Sequence, residues 1–343
     1  MASNHDKIVV VDNEYAIVGG RNVSKDYFVD PEDHPTAYRD CDVLIRSADV
    51  AASLDAAFTE EFFMLKQYEI EKNLGLPIHI RNEMMTAYAA MDSWIRGNGA
   101  YVAPKTADAK TLKAVEEYNA ELAVYKHMIN FDGFDPMKGA HDAPVKIIDK
   151  NSLVGSRNDI TDQLVRFIDS CKHEVIIQNP YVVLTERAEA ALKRASRRGV
   201  RVILHTNSPI STDSAATQAM FYRDWKRILK EIPTAAIYVF YGQRKLHAKT
   251  FTFDGKVGIV GTYNMDYISE EVNSEVVAAI SHRPFTLELR SGIMKNIAES
   301  KKYEIQMNEK GEAESVLGPD DMKTKNLWII KTLSRLGFAK YII

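Results

Sequence analysis

With 343 residues, 45% of them hydrophobic and 27% charged, the chain has the composition of a globular protein long enough for two ordinary domains. A formal net charge of −3 gives no polyanion-binding signature over the chain as a whole. No run reaches the roughly 18 uninterrupted apolar residues that a membrane-spanning helix needs.

The chain enters a strand at once. Lys7 to Val11 and Tyr15 to Val18 are β-branched and apolar runs joined by Asp12-Asn13-Glu14, which predicts a hairpin. Helical spacing follows from about Ser53 to Leu74, from Arg81 to Trp94 and from Ala107 to Ile129. A new domain is expected near Ala143-Pro144. Val145 to Ile148, Glu174 to Gln178 and Val200 to Leu204 read as its first strands, and Asp159 to Cys171 and Glu186 to Arg198 as helices, the second stopped by Gly199. Such alternation predicts an α/β fold with a largely parallel sheet and with catalytic groups at strand ends, one of which carries His205-Thr206-Asn207-Ser208. Lys249 to Val260 forms a further hairpin around Asp254-Gly255. The expected division is residues 1–142, with a helical insertion over about 59–142, and residues 143–343, ending in a helical tail.

The two hairpins are copies of one motif. An offset of 242 superimposes His5 on His247, Lys7 on Lys249, Asp12 on Asp254, Gly19 on Gly261 and Asn22 on Asn264 without a gap. Residues two apart on a strand share a face, so each motif offers an imidazole and an ammonium to one spot. Asn22 and Asn264 add amide donors just after a glycine. If the hairpins face each other, six donors converge on one small anion, and phosphate suits them because charge-assisted bonds to its oxygens are strong. Two histidines then divide the labour of nucleophile and general acid–base. The lysines and amides neutralise transition-state charge, so this chemistry needs neither metal nor cofactor. Each imidazole needs an acceptor on its second nitrogen. Glu275 is the candidate for His247, and Asp40 the candidate for His5. Asp12 and Asp254 are expected to tie down their turns rather than touch substrate.

Other features have plainer readings. Cys41 and Cys171 stand too far apart for a redox or metal pair, and no Cys/His cluster has zinc spacing. Lys193, Arg194, Arg197, Arg198 and Arg201 read as a solvated helix face. His34, His79, His127, His141, His173 and His282 read as ordinary structural histidines.

The motifs resemble the phospholipase D (PLD) superfamily, whose signature His-x-Lys-x4-Asp-x6-Gly-(Gly/Ser/Thr)-x-Asn occurs twice. Here it reads HDKIVVVDNEYAIVGGRN at 5–22 and HAKTFTFDGKVGIVGTYN at 247–264. NPYVV at 179–183, RGVRVILHTNS at 198–208 followed by Thr212-Asp213, and NSEVV at 273–277 are similar to the bacterial cardiolipin synthase group, most of all to its C type. The resemblance implies a PLD fold: two pseudo-twofold-related α/β/α halves with mixed, largely parallel sheets. Only four residues precede His5, so the first half is expected to be incomplete, with Met1 an internal methionine. The resemblance further implies His5 as nucleophile, His247 as acid, and Asp40 and Glu275 as residues that orient them. Lys7, Lys249, Asn22 and Asn264 would hold phosphate.

The implied partners are a glycerophospholipid and an alcohol acceptor, in a bacterial, membrane-associated protein. Alternatives are plain hydrolysis, an inactive remnant, and nuclease activity. The acidic balance and the lack of interleaved aromatic and basic residues disfavour the last. Leu327, Trp328, Ile330, Leu333, Leu336 and Phe338, set among Lys331, Arg335 and Lys340, predict either an interfacial amphipathic helix with peripheral membrane contact or a helix docked on its own domain.

Overall fold

The β-branched runs become the strands of two sheets in a computed structural model that describes residues 3–30, 34–64, 78–126, 128–129, 134–154 and 158–335. In chain order the elements are β1 (Ser3–Asn4), β2 (Ile8–Val11), β3 (Tyr15–Gly19), β4 (Asp42–Arg46), α1 (Ala48–Met64), α2 (Ile78–Ile95), α3 (Ala109–Leu122), β5 (Val145–Lys150) and α4 (Asp159–Ser170). There follow β6 (Glu174–Gln178), α5 (Glu186–Arg197), β7 (Arg201–Asn207), α6 (Ala215–Glu231), β8 (Ala235–Phe240), β9 (Thr250–Phe253), β10 (Val257–Gly261), α7 (Tyr267–Glu271), β11 (Asn273–Ile280), α8 (Arg283–Ala298), β12 (Ser300–Met307), β13 (Ala313–Leu317) and α9 (Leu327–Ser334).

Residues 1–23, 38–65 and 140–343 make one compact unit, and residues 24–37 with 66–139 make another. The expected cut after residue 142 separates the two repeats along the chain. The compact units divide otherwise, because both motifs belong to the larger one.

The large sheet of that unit runs β1-β11-β10-β9-β6-β7-β8-β12-β13, with β5 also on β11. It is mixed. Its parallel centre is β6-β7-β8, joined through α5 and α6 as a parallel sheet requires. The hairpin strands β9 and β10 run antiparallel between β6 and β11. Side-chain alternation sorts the layers. On β6, Val175 and Ile177 enter the core under α4, α5 and α6, while Ile176 packs with Ile293 and Ile297 of α8 on the opposite face. On β11, Val277 and Ala279 join the first of these cores. Val276, Ala278 and Ile280 instead pack against Ala16, Val18 and Ile45 of the small sheet β2-β3-β4 and against Val50 and Leu54 of α1. The first motif is thereby seated directly beside the strand that follows the second.

Helix ends follow their caps. Side chains of Asn158, Thr185 and Ser214 accept from the backbone N–H three residues on, starting α4, α5 and α6. Gly199, with φ of 82°, ends α5 as expected. Helix α1 begins five residues before the expected Ser53, because Ser47 Oγ accepts from Val50 N. Its expected extent to Leu74 lies partly outside the described residues. Strand β7 continues past Leu204 to Asn207, since Thr206 and Asn207 pair with Val239 and Phe240 of β8.

The smaller unit pairs α2 with α3. Asp108 caps α3 by accepting from Thr111 N. Asn119 bridges Tyr101, accepting from its N–H and donating to its carbonyl, both at 2.9 Å.

Candidate active site

Two short parallel pairings bring the motifs together. Strand β1 lies along β11 with Asn4 opposite Ser274, and His5 N donates to Ser274 O at 3.1 Å. That register sets His5 beside Glu275, whose two oxygens both lie 3.0 Å from His5 Nδ1. The mirror arrangement holds in the other repeat. Arg39 bridges Leu246 in parallel, and His247 N donates to Arg39 O at 2.8 Å. His247 Nδ1 then lies 2.7 Å from Asp40 Oδ2.

The expected pairing of each histidine with the carboxylate of its own repeat is therefore wrong: the pairs are crossed. The reason is in the strand register. Gly19 sits opposite Asp42, and Gly261 opposite Val277, so Asp40 and Glu275 occupy matching places two residues beyond the end of each hairpin ladder. There the neighbouring chain is the histidine segment of the other repeat. In each pair Nδ1–H donates to the carboxylate, which fixes the ring so that Nε2 points away from it.

Both carboxylates are fully buried. Ser269 Oγ and Asn273 Nδ2 also donate to Glu275, at 2.7 and 3.2 Å. Burial pushes the Glu275 carboxyl up, but the bonds from His5, Thr262 and Ser269 and the charge of His5 outweigh it and hold the group below its usual range. Asp40 Oδ1 accepts from Cys41 N at 2.8 Å.

The lysines repeat each other's geometry. Lys7 Nζ donates to His5 O at 2.8 Å, and Lys249 Nζ to His247 O at 2.7 Å. Lys249 Nζ also lies 2.9 and 3.0 Å from the ring nitrogens of His247. Lys249 is lowered to about 8, by burial first and by the Lys7 charge, against the opposing pull of Asp40, Glu275 and Asp213. Burial also lowers Lys7, against Glu275, Asp6 and Asp40. Each lysine thus senses the carboxylates of both repeats, and the two ammonium groups repel, so both belong to one electrostatic site. His247 is lowered by burial and then by Lys249, with Asp40 pulling the other way.

The asparagines differ. Asn264 is buried, its N–H donates to Ser269 Oγ at 3.1 Å, and its Oδ1 has no hydrogen-bond partner among the described residues. A buried acceptor left in that state is uncommon. Asn22 is exposed.

The motif glycines are there for close approach. A Cβ on Gly19 would fall 1.9 Å from Asp42 Oδ1, and one on Gly261 would fall 2.4 Å from Val276 O. Gly20 leaves room for Asp40, whose Oδ1 would lie 2.2 Å from an added Cβ. Thr262 takes the same place in the second repeat, and its hydroxyl accepts from Val276 N at 3.0 Å.

Asp254 takes three backbone N–H groups, from Lys172, His173 and Glu174, at 2.8–2.9 Å, and so ties the turn to the start of β6. Asp12 is an exposed turn residue with φ of 54°.

Sequence reasoning missed Tyr38 and Lys245, and gave Asp213 no role. The ring of Tyr38 meets that of His247 edge-on at 5.5 Å, and Asp213 accepts from Tyr181 Oη at 2.7 Å and from Tyr38 Oη at 3.2 Å. His205, at a strand end, is structural instead. It is fully buried, its ring nitrogens meet Gln178 and Ser300 at 2.9 Å, and burial lowers it to about 3.

Most of the basic cluster is engaged in ion pairs: Lys193 and Arg194 meet Glu189 and Asp169, and Arg201 meets Glu174. In the tail, Ile330 is buried, and with Leu333 it packs on Val183 and Met220, so α9 docks on its own domain while Trp328 stays exposed. Leu336, Phe338 and Lys340 lie outside the described residues. No described helix is long and apolar enough to cross a membrane.

The chain is similar to several known proteins. Residues 164–296 match the family model described as "Cardiolipin synthase, PLD-like domain". Over 290 residues the chain is 26% identical to cardiolipin synthase C of Escherichia coli (strain K12), covering 79% of this chain and 57% of that one. Over 224 residues it is 24% identical to a cardiolipin synthase of Listeria monocytogenes (serotype 4a, strain HCC23), covering 65% and 45%. The chain therefore spans about half the length of these relatives. Its fold is similar to the crystal structure of phosphatidylserine synthase from Haemophilus influenzae Rd KW20, with a TM-score of 0.57 at 11% identity over 99% of this chain and 70% of that one.

Proposed function

We propose that this chain, which carries a PLD-like domain of the cardiolipin synthase family, transfers phosphatidyl groups between alcohols through a phosphohistidine formed on His5. The crossed carboxylate pairing carries the reading. Each imidazole is oriented by the other repeat, so the two histidines are prepared together for a single phosphorus atom.

In the first step His5 Nε2 attacks phosphorus, the bond to the leaving oxygen breaks, and His247 gives that oxygen its proton. In the second step His247 takes the proton of an acceptor hydroxyl, the new oxygen–phosphorus bond forms, and the phosphorus–nitrogen bond returns its electron pair to His5. Glu275 stabilises the positive charge that builds on His5 during attack. Asp40 does the same for protonated His247. Lys7, Lys249, Asn22 and Asn264 hold the non-bridging oxygens, where charge-assisted bonds gain strength as negative charge develops. His5 keeps 28% of its side chain exposed against 7% for His247, which leaves the nucleophile open to a bulky diester.

Incubation with phosphatidylglycerol vesicles and labelled glycerol is expected to yield labelled lipid, and phosphatidic acid when glycerol is withheld and water is the acceptor. Rapid denaturation in alkaline detergent is expected to trap an acid-labile, alkali-stable phosphoprotein that the His5→Gln variant does not form. Degradation of DNA with the lipid untouched would overturn the reading.

A further inference from the structure

One cluster next to the histidines has no part in holding phosphate. Asp213 is exposed, yet its two oxygens are fixed by separate phenols, Tyr181 Oη at 2.7 Å and Tyr38 Oη at 3.2 Å. Tyr38 in turn places its ring edge on His247, with centroids 5.5 Å apart and planes at 84°. Lys245 Nζ sits 3.3 Å from the same Tyr38 hydroxyl and 5.0 Å from the ring centroid. The Asp213 charge is felt by both His247 and Lys249, which sets the carboxylate within electrostatic reach of the acid–base histidine.

We infer that Asp213, held between Tyr181 and Tyr38, is a specificity residue that binds a second hydroxyl of the acceptor alcohol and so selects polyols. This rests on the phosphatidyl-transfer reading and deepens it. The acceptor must bring one hydroxyl to His247, because that ring takes its proton, so the remainder of the acceptor lies on the His247 side of the site. Among the described groups found there are this carboxylate and its two phenols. A carboxylate has about four acceptor positions and the two phenols fill two, so Asp213 retains capacity for an incoming O–H. Lys245 shares Tyr38 with Asp213 and supplies a nearby positive charge, which favours a neutral polyol over an alcohol that carries an ammonium group.

The inferred step balances without any co-reactant. One acceptor hydroxyl loses its proton to His247 Nε2 and forms the new bond to phosphorus as the phosphorus–nitrogen bond breaks and returns its electron pair to His5, while the neighbouring hydroxyl donates to Asp213 and keeps its proton.

The test is a competition in one tube. Phosphatidylglycerol vesicles are offered labelled glycerol and labelled 1-propanol together, and the ratio of labelled phosphatidylglycerol to phosphatidylpropanol is read. Being internal, the ratio does not depend on how much of the protein is active. Asp213→Asn is expected to lower the ratio about tenfold, the scale of one hydrogen bond to a charged group. Tyr181→Phe, which frees one carboxylate oxygen without removing the charge, is expected to lower it less, and it serves as the second variant should Asp213→Asn not fold. Equal ratios in wild type and in both variants would overturn the polyol site while leaving phosphatidyl transfer standing. A wild-type protein that forms neither labelled lipid and no phosphatidic acid would overturn the transfer reading and this inference with it.

Discussion

His247 Nδ1 lies 2.7 Å from Oδ2 of Asp40, a residue 207 positions earlier in the chain and in the other repeat. With His5 on Glu275 in the same crossed manner, each repeat supplies the histidine of one pair and the carboxylate of the other. The site is thus a single device made of two halves, and damage to either repeat should disable a defined half-reaction.

Asp40→Asn and Glu275→Gln should separate those half-reactions. Under the proposed mechanism Asp40 orients the acid–base histidine, so Asp40→Asn is expected to slow phospholipid turnover by about 10²–10⁴-fold, the usual worth of a positioned general acid. A 4-nitrophenyl phosphodiester has a leaving group that needs no proton. With that substrate Asp40→Asn should retain a pre-steady-state burst of nitrophenolate, and Glu275→Gln, which serves the nucleophile, should lose it. The opposite pattern would return the carboxylates to the histidines of their own repeats.

Equivalent motif positions should differ sharply in stability. Asp254 accepts three backbone N–H groups and its carboxyl is held low: burial pushes it up, but the bonds from Glu174, Lys172 and His173 outweigh that. Asp254→Ala leaves those donors short of an acceptor and should cost about 2–4 kcal/mol. Asp12 is exposed in its turn, and Asp12→Ala should cost about 1 kcal/mol or less, the price of losing a residue suited to positive φ. Urea unfolding of both variants checks the difference, and equal midpoints would refute it.

Gly261→Ala should lower stability by about 1–3 kcal/mol, because the new methyl would fall 2.6 Å from Val277 Cα as well as against Val276 O, and backbone on a fully paired central strand cannot yield cheaply. Activity should fall too, since Glu275 rides on the strand that would be displaced. A thermal midpoint equal to that of wild type would show that β11 can shift without cost.

The two copies of the motif were legible in the sequence because they repeat. His5, Lys7 and Asn22 recur at a fixed offset as His247, Lys249 and Asn264, and the turn and strand signals around Asp254-Gly255 place them on hairpins. The crossing was not legible. It depends on β1 lying parallel to β11 and on Arg39 lying beside Leu246, and both are pairings between distant segments with no local signature. Tyr38 was hidden for the same reason: it is an ordinary aromatic residue until tertiary contact brings its edge to His247. His205 misled in the other direction. Its strand-end position looked functional, but β7 runs on to Asn207 and buries the ring among Gln178 and Ser300.

Burial and the Lys249 ammonium lower His247 below its ordinary 6.5, so in the free protein it is largely neutral at pH 7.5, although the first step asks it for a proton. Substrate charge resolves this. A phosphodiester anion beside Lys249 offsets the repulsion that kept the proton off His247, and it raises Lys249 above its free value of about 8 for the same reason. Both shifts have the same sign, so binding should take up protons at pH 7.5. Calorimetric titration with dimethyl phosphate, whose own charge is constant at this pH, in two buffers of different ionisation enthalpy measures the uptake. A fraction of a proton or more is expected for wild type and distinctly less for Lys249→Met. The same groups set the pH profile: kcat/KM should fall as pH rises through about 8, where free Lys249 loses the charge that holds phosphate. Proton release on binding, or a profile flat to pH 10, would mean that Lys249 is not the cation facing the phosphate.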